Sequence, residues 1–270
     1  MFDKGFNARQ EIASISKLQY GGSRKIRLDN ADPFWKLTAE RPWDPPLADS
    51  GKARAFSVGK ILKNNLSVRI DRVVVSPFIR CVETALEIVS ALCTINDSPN
   101  YMDIDEVFDP SKVKVSIENG LCEVSNRINL PSAPEKGEIG FNFSKVEALF
   151  PAGTLDQKAE PICEKLPQWE EPSEAAKIRY AMVIRAIANK YPLENILLVT
   201  HKIGVKAAVS AFMENIFVYE VNCCGYSHLK RQISFNPSEK SIVAGKYEVT
   251  TKSGESGIKF CPFMDTPLDE

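Results

Sequence analysis

The hydrophobic positions of the chain predict an alternation of strands and helices. Two runs predict strands: Arg72–Val75, which is short and rich in β-branched residues, and Ile196–Thr200, whose apolar run is typical of strands buried on both faces of a parallel sheet. A helix is predicted after each run, because Ser76-Pro77 is a favoured helix start and apolar residues then recur at helical spacing. These helices carry Cys81, Ala85, Ile88 and Leu92 on one face in the first case and span about Ile203–Met213 in the second. Further helices are predicted at Gly51–Lys63 and Glu174–Lys190, with a hairpin around Tyr226–Phe235 and Ser241–Thr251.

This alternation predicts an α/β fold, a three-layer sandwich in which a mostly parallel, doubly wound sheet carries helices on both faces. The first strand is weakly marked, since residues 1–25 offer only Ile12–Ile15 as a candidate. Between about residues 96 and 172 the periodicity weakens and Pro, Ser and Glu are frequent, which indicates a long insertion or cap with short helices. We therefore predict an atypical N-terminal segment, residues 1–26, and a single domain, residues 27–270, that carries this insertion.

Composition narrows the classes of partner. The 270 residues include 34 Lys and Arg against 35 Asp and Glu, so no basic excess points to nucleic acid. No run of about 18 apolar residues predicts a membrane span. Seven scattered cysteines without a C-x-x-C pair argue against a structural zinc site and favour reduced thiols, hence a cytoplasmic or nuclear protein. The sequence gives no indication of the oligomeric state.

Two candidate phosphate ligands fall at one edge of the predicted sheet. Arg80 lies in the first turn after the strand Arg72–Val75, and His201 stands directly at the end of Ile196–Thr200. Ligands of open α/β sheets bind beyond the carboxyl ends of the strands, where helix N-termini add N–H donors. Each residue alone also fits a structural interpretation, as a solvated arginine and a packed histidine. Because both residues lie at the same edge of the sheet, a functional interpretation is about as good as a structural one.

Four motifs in order resemble those of the histidine phosphatase superfamily, which has the phosphoglycerate-mutase-like fold. Ser76-Pro77-Phe78-Ile79-Arg80 with Glu83-Thr84-Ala85 is similar to its S-P-x-x-R-x-x-x-T-A motif, and Val199-Thr200-His201 to its second histidine motif. Arg41–Leu47, reading R-P-W-D-P-P-L ahead of Gly51, resembles the segment before its first long helix, and Glu118–Glu123 resembles its acidic motif.

The resemblance implies hydrolysis of a phosphomonoester through a phosphohistidine, with no metal or other cofactor. It implies that Arg80 clamps phosphate, that His201 is the second histidine, and that Glu118 is the general acid, with Glu123 a weaker alternative. The implied partner is a phosphorylated small molecule or a phosphoprotein. Without the resemblance, Glu118 reads as a solvated loop carboxylate.

The family's nucleophile motif, Arg-His-Gly-acid-Arg, is missing from its expected place. Counting back from Arg27, its positions hold Ser23 for the clamp arginine, Arg24 for the nucleophilic histidine and Ile26 for the acid. The only histidines, His201 and His228, both follow Arg27, so no shift of register restores the motif. Arginine cannot replace the nucleophile because its guanidinium stays protonated. Arg27 is the one residue of this motif that the chain keeps. Arg24 and Arg27 are predicted to bind substrate together with Arg80.

Two functions stay open at this point. The first is a phosphatase-fold protein whose activity is lost or much reduced, and the alternative is a non-catalytic module that binds a phosphorylated ligand or a protein. The abrupt change at Arg27 also suggests that residues 1–26 come from a different start or exon, and that another form carries the histidine.

Overall fold

The computed structural model describes residues 7–16, 35–66, 68–94, 109 and 112–263. Helices alternate with strands along most of this length, and a 3₁₀ turn, Asn119–Leu121, follows the third strand. The helices are α1 (Trp35–Thr38), α2 (Asp49–Asn65), α3 (Ile79–Cys93), α4 (Phe143–Glu147), α5 (Ser173–Lys190) and α6 (Lys202–Ser210). The strands are β1 (Asn7–Ser16), β2 (Arg72–Val75), β3 (Lys114–Ile117), β4 (Ile196–Thr200), β5 (Ile216–Val221), β6 (Tyr226–Asn236), β7 (Ser241–Ala244), β8 (Glu248–Val249) and β9 (Ile258–Pro262).

The main sheet has seven strands in the order β3-β2-β4-β1-β6-β7, with β8 paired to β6. Strands β3, β2, β4 and β1 are parallel, whereas β6 is antiparallel to β1, β7 and β8. Of these seven described strands, β6 alone therefore runs against the common direction. The register is continuous through the centre, since Ile12 faces Ile196 on one side and Leu229 on the other. Strands β5 and β9 form a separate two-stranded ribbon.

Helices cover both faces of the sheet, as the sequence predicts. Val73 and Val75 point into a core shared with α2 and α3, whereas Val74 packs in a second core with α5 and α6. The α3 stripe predicted from spacing is buried, with Ile88 fully inaccessible and Leu92 8% exposed. Each such side chain contributes roughly 1.5–3 kcal/mol on burial. The α/β class and the three layers are confirmed, and the sheet is mixed, with three parallel and three antiparallel pairings among the described strands.

Strand β1 lies at the centre of the sheet, although its sequence is a weak strand signal. It pairs with β4 through five residue pairs from Ile12↔Ile196 to Ser16↔Thr200. Its longer pairing with β6 runs from Asn7↔Ser234 to Ile15↔Tyr226. The sheet therefore includes part of the segment 1–26, which the sequence analysis separates from the domain that begins at residue 27.

Helix α3 begins later than the sequence predicts, and the reason is a remote cap. Ser76 and Pro77 lie before the helix, whose first residue is Ile79. The Asp44 carboxylate accepts the backbone N–H of Ile79, at 3.0 Å to Oδ1 and 3.1 Å to Oδ2. Ser76 instead directs its hydroxyl to His201. The predicted capping role of Ser76 is therefore wrong.

The predicted insertion contains an edge strand as well as loops. Strand β3 and the 3₁₀ turn belong to the main sheet and its carboxyl edge, and the chain from Cys122 to Pro172 then forms turns and the short helix α4. A bridge between Val115 and Leu155 ties this segment to the sheet edge. Asp156 also pairs with the buried Arg72, at 2.9 Å. Among the helices that the structure describes, none has both the length and the apolar composition that crossing a bilayer requires.

Candidate active site

His201 stands where β4 ends, and its fully buried side chain contacts Ser76, Glu123 and the Cys81 thiol. Its Nε2 lies 2.9 Å from Ser76 Oγ, and its Nδ1 lies 3.1 Å from Glu123 Oε2. A carboxylate only accepts hydrogen bonds, so with Glu123 ionised the Nδ1 atom carries a proton. In the neutral ring, Nε2 then accepts a hydrogen bond that the Ser76 hydroxyl donates. The arrangement fixes the orientation of the imidazole from both sides.

Arg80 is the second residue of α3 and lies against the same carboxylate. Its Nη2 is 3.6 Å from Glu123 Oε2, and its Nη1 is 3.0 Å from Asp44 Oδ1. Its guanidinium also stacks on the Phe78 ring, with 4.3 Å between the guanidinium carbon and the ring centroid. Arg80 is 6% exposed, so two carboxylates compensate a charge that is almost entirely removed from water.

Asp44 joins this cluster to the loop ahead of α2. Besides Arg80 and the N-terminus of α3, it binds Arg41, whose Nη2 is 2.9 Å from Asp44 Oδ2. Burial lowers the pKa of Arg41, Asp44 opposes this, and the neighbouring Arg80 lowers it further. Sequence reasoning gave Arg41 no role. The available signal was its place in Arg41–Leu47, three residues before Asp44.

The two candidate acids differ in what they contact. Glu123 touches both Arg80 and His201. Glu118 instead accepts the backbone N–H groups of Gly120 at 2.8 Å, Ile162 at 2.6 Å and Cys163 at 2.9 Å. It therefore anchors the 3₁₀ turn to the segment after Leu155. Of the two carboxylates, Glu123 is the one that contacts His201.

The remaining residues predicted for the site lie elsewhere or outside the described part. Arg24 and Arg27 fall in the segment between Ser16 and Trp35, outside the described residues. His228 lies on β6, where its Nε2 is 2.9 Å from Glu11 Oε2 and its Nδ1 is 2.8 Å from Thr250 Oγ1. The structure thus brings together Arg80, His201 and Glu123.

Aromatic rings cover this cluster. The Phe78 ring meets the His201 ring edge to face, with centroids 5.0 Å apart, and meets Phe141 at 5.1 Å. Phe141 in turn lies 4.2 Å from the Arg41 guanidinium. A small cavity of about 30 Å³ lies beside Glu123, and Phe78 and Phe141 also line it.

Comparison of the whole chain with solved structures identifies the architecture. The ecdysone phosphate phosphatase of Bombyx mori, solved with tungstate, superposes with a TM-score of 0.57 at 20% identity, over 91% of this chain and 96% of that one. The chain has the fold of the histidine phosphatase superfamily. A phosphoglycerate mutase from Bacillus anthracis (TM-score 0.48, 15% identity, 90% of this chain and 92% of that one) is a further neighbour. A mycobacterial glucosyl-3-phosphoglycerate phosphatase is another neighbour, with a TM-score of 0.46 and 12% identity over 91% of this chain and 98% of that one.

The histidine phosphatase fold agrees with the resemblance drawn from the four motifs. In this fold, the S-P-x-x-R-like segment supplies Ser76 and Arg80, and the second histidine motif supplies His201. No protein-family model matches the sequence, and no curated relative matches it either. The comparisons therefore show a likeness of fold.

Proposed function

We propose that this chain is a non-catalytic member of the histidine phosphatase fold, a pseudophosphatase that binds a phosphorylated small molecule or phosphoprotein at the Arg80–Glu123–His201 cluster. The observation that carries the proposal is where the two histidines of the chain lie. His201 stands in the cluster, and His228 binds Glu11 and Thr250 on β6. A mechanism with one histidine as nucleophile and a second on the phosphoryl oxygens lacks one of its two members.

The cluster retains the chemistry needed to hold a phosphoryl group. Arg80 offers a planar, permanently charged donor set, and the His201 ring offers a hydrogen-bond donor when protonated. Glu123 opposes an incoming anion because its carboxylate already contacts both groups. A phosphate anion must therefore displace the Glu123 carboxylate from Arg80 or His201.

Binding of tungstate or inorganic phosphate, followed by calorimetry, tests this arrangement. Arg80→Gln should abolish saturable binding, because it removes the charge that holds the anion. Glu123→Gln should tighten binding, because it removes a carboxylate that competes with the anion for Arg80 and His201. Arg69→Gln, at an exposed arginine outside the cluster, is the matched control and should bind as the wild type does. No saturable binding by the wild type would refute the ligand proposal.

Hydrolysis of a generic aryl phosphate separates binding from catalysis. The proposal expects no turnover above background for the wild type. Turnover that His201→Ala abolishes and His228→Ala preserves would overturn it. It would then establish the second candidate function, residual phosphomonoester hydrolysis. The observation that favours this second candidate is the retention of an acid, Glu123, in contact with both cationic partners.

The hypothesis of an alternative start remains a proposal with its own test. The described strand β1 shows that residues 7–16 form part of the sheet, so another form with the histidine must also provide a first strand. An in-frame Arg-His-Gly sequence upstream of the codon for Arg27 in the genome would support that form, and its absence would exclude it.

We also infer a reducing compartment, the cytoplasm or the nucleus. All seven cysteines are free in the structure, and four of them, Cys81, Cys93, Cys122 and Cys224, are buried. Free thiols in such number are typical of reducing compartments. Imaging of the tagged protein together with fractionation checks this inference, and recovery from a secretory compartment would contradict it.

A further inference from the structure

A second cavity lies at the outer edge of the sheet, away from the Arg80–Glu123–His201 cluster. It opens between the carboxyl end of β3, the helix α4 and the segment from Leu155 to Glu164, and its volume is about 430 Å³. This size falls within the range of small-molecule sites, roughly 300–1,000 Å³. None of the residues that line it belongs to the cluster.

Carboxylates line the cavity without basic side chains. Its described lining includes Glu147, Asp156 and Glu164 and contains no lysine or arginine. Asp156 is paired with Arg72, at 2.9 Å. Glu147 and Glu164 are exposed and have no ion pair with any described residue. The cavity therefore has an unbalanced negative charge.

Asn119 supplies a second, independent sign of a ligand. It is 7% exposed and lines the cavity, and its Nδ2 donates to the Glu164 carbonyl at 3.0 Å. Its Oδ1 is buried and has no hydrogen-bond partner among the described residues. Buried side-chain oxygens are normally paired, so this acceptor lacks a donor.

The cavity also has an apolar surface. Ile117, Leu155 and Pro161 line it, and Phe143, which is 37% exposed, contributes an aromatic ring. Such a surface suits an alkyl stem, and an aromatic face also attracts a cation. The described residues hold no group of three His, Cys, Asp or Glu side chains that could share a metal ion. The chemistry therefore fits an organic cation better than a metal.

We propose that this cavity binds a small organic cation with an aliphatic stem, such as an alkyl diamine. The ammonium groups bind the carboxylates of Glu147 and Glu164, one N–H reaches Asn119 Oδ1, and the stem packs against the apolar surface. The site is independent of the proposed phosphate site.

Calorimetric titration with 1,4-diaminobutane tests the proposal, with 1,4-butanediol as the neutral analogue of equal length. The wild type should bind the diamine saturably and the diol undetectably. The double variant Glu147→Gln/Glu164→Gln should lose at least tenfold in diamine affinity. The matched control, Glu135→Gln/Glu138→Gln, removes two exposed charges outside the cavity and should stay within twofold of the wild type.

Four results would overturn the proposal: no saturable diamine binding, equal weakening by the control variant, equal binding of the diol, or tighter saturable binding of Mg²⁺ than of the diamine. Tungstate binding measured on the same variants distinguishes the two sites. It should be unchanged in Glu147→Gln/Glu164→Gln, so failure of the diamine proposal leaves the phosphate proposal standing, and the reverse also holds.

Discussion

Neutralising Asp44 is expected to destabilise the whole domain, because this one carboxylate binds the α3 N-terminus, Arg80 and Arg41. It is 3% exposed, it accepts the N–H of Ile79 at the start of α3, and it binds Arg80 and Arg41. Asp44→Asn keeps an acceptor for the helix but removes the charge. Asp44→Ala removes both, so the two variants together separate the ion pairs from the helix cap.

The expected magnitude follows from the burial of the pairs. Removing one partner of a buried ion pair costs about 3–5 kcal/mol, because the other charge is left uncompensated. Arg80 keeps Glu123 at 3.6 Å, which places Asp44→Asn near the lower end, at about 3 kcal/mol. Loss of the cap in Asp44→Ala adds about 1 kcal/mol. A loss of about 3 kcal/mol corresponds to a melting temperature lowered by roughly 10 °C.

Urea unfolding followed by circular dichroism measures both losses, with Asp49→Asn as the control. Asp49 also stands at a helix start, but it is exposed, and its substitution should cost no more than about 0.5 kcal/mol. A loss below about 1 kcal/mol for Asp44→Asn would refute the reasoning, since it would show that Arg80 and Arg41 do not depend on this carboxylate. Equal losses for Asn and Ala would refute the capping contribution.

Three further predictions use the same unfolding assay or thiol labelling. Gly120→Ala should cost about 1–3 kcal/mol, because the added methyl group would clash with the Val183 side chain, and an unchanged urea midpoint would contradict this. Tyr180→Phe should cost about 1 kcal/mol, because the buried hydroxyl donates to a main-chain carbonyl; equal stability would show that this bond contributes nothing. Burial raises the pKa of Cys224 from 9.0 to about 12, so iodoacetamide at pH 8 should label the exposed Cys261 and leave Cys224 unmodified. Rapid labelling of Cys224 at pH 8 would argue against this burial. Because the folded pKa of Cys224 lies above the unfolded value, its contribution to stability should fall as the pH rises from 9.0 towards 12.

The elements that the sequence predicts well are those whose signal is local. The strands Arg72–Val75 and Ile196–Thr200 have their predicted bounds, because runs of β-branched and apolar residues suit a sheet covered on both faces. The start of α3 was misplaced because its cap comes from Asp44, 35 residues before Ile79. Local capping rules cannot detect a partner at that distance.

Prediction of the site from the sequence is limited in the same way, because contacts between distant residues decide part of it. Arg80 and His201 were predicted to meet, because the topology of a parallel sheet brings the carboxyl ends of its strands to one edge. The acidic motif offers both Glu118 and Glu123, and the sequence does not tell which carboxylate points towards His201. Glu118 is held by the amides of Ile162 and Cys163, 44 and 45 residues away, and such long-range contacts exist only in the folded chain.

The central position of β1 has a consequence for how the molecule assembles. Glu11 on this strand contacts Asn195 and His228, which lie 184 and 217 residues further along the chain. On the ribosome, β1 therefore gains its sheet neighbours only after β4 and then β6 have been synthesised. Pairings between such distant segments form slowly and leave strand edges uncovered meanwhile. Synthesis of this protein should accordingly depend on holding chaperones more than that of a helical bundle of equal length.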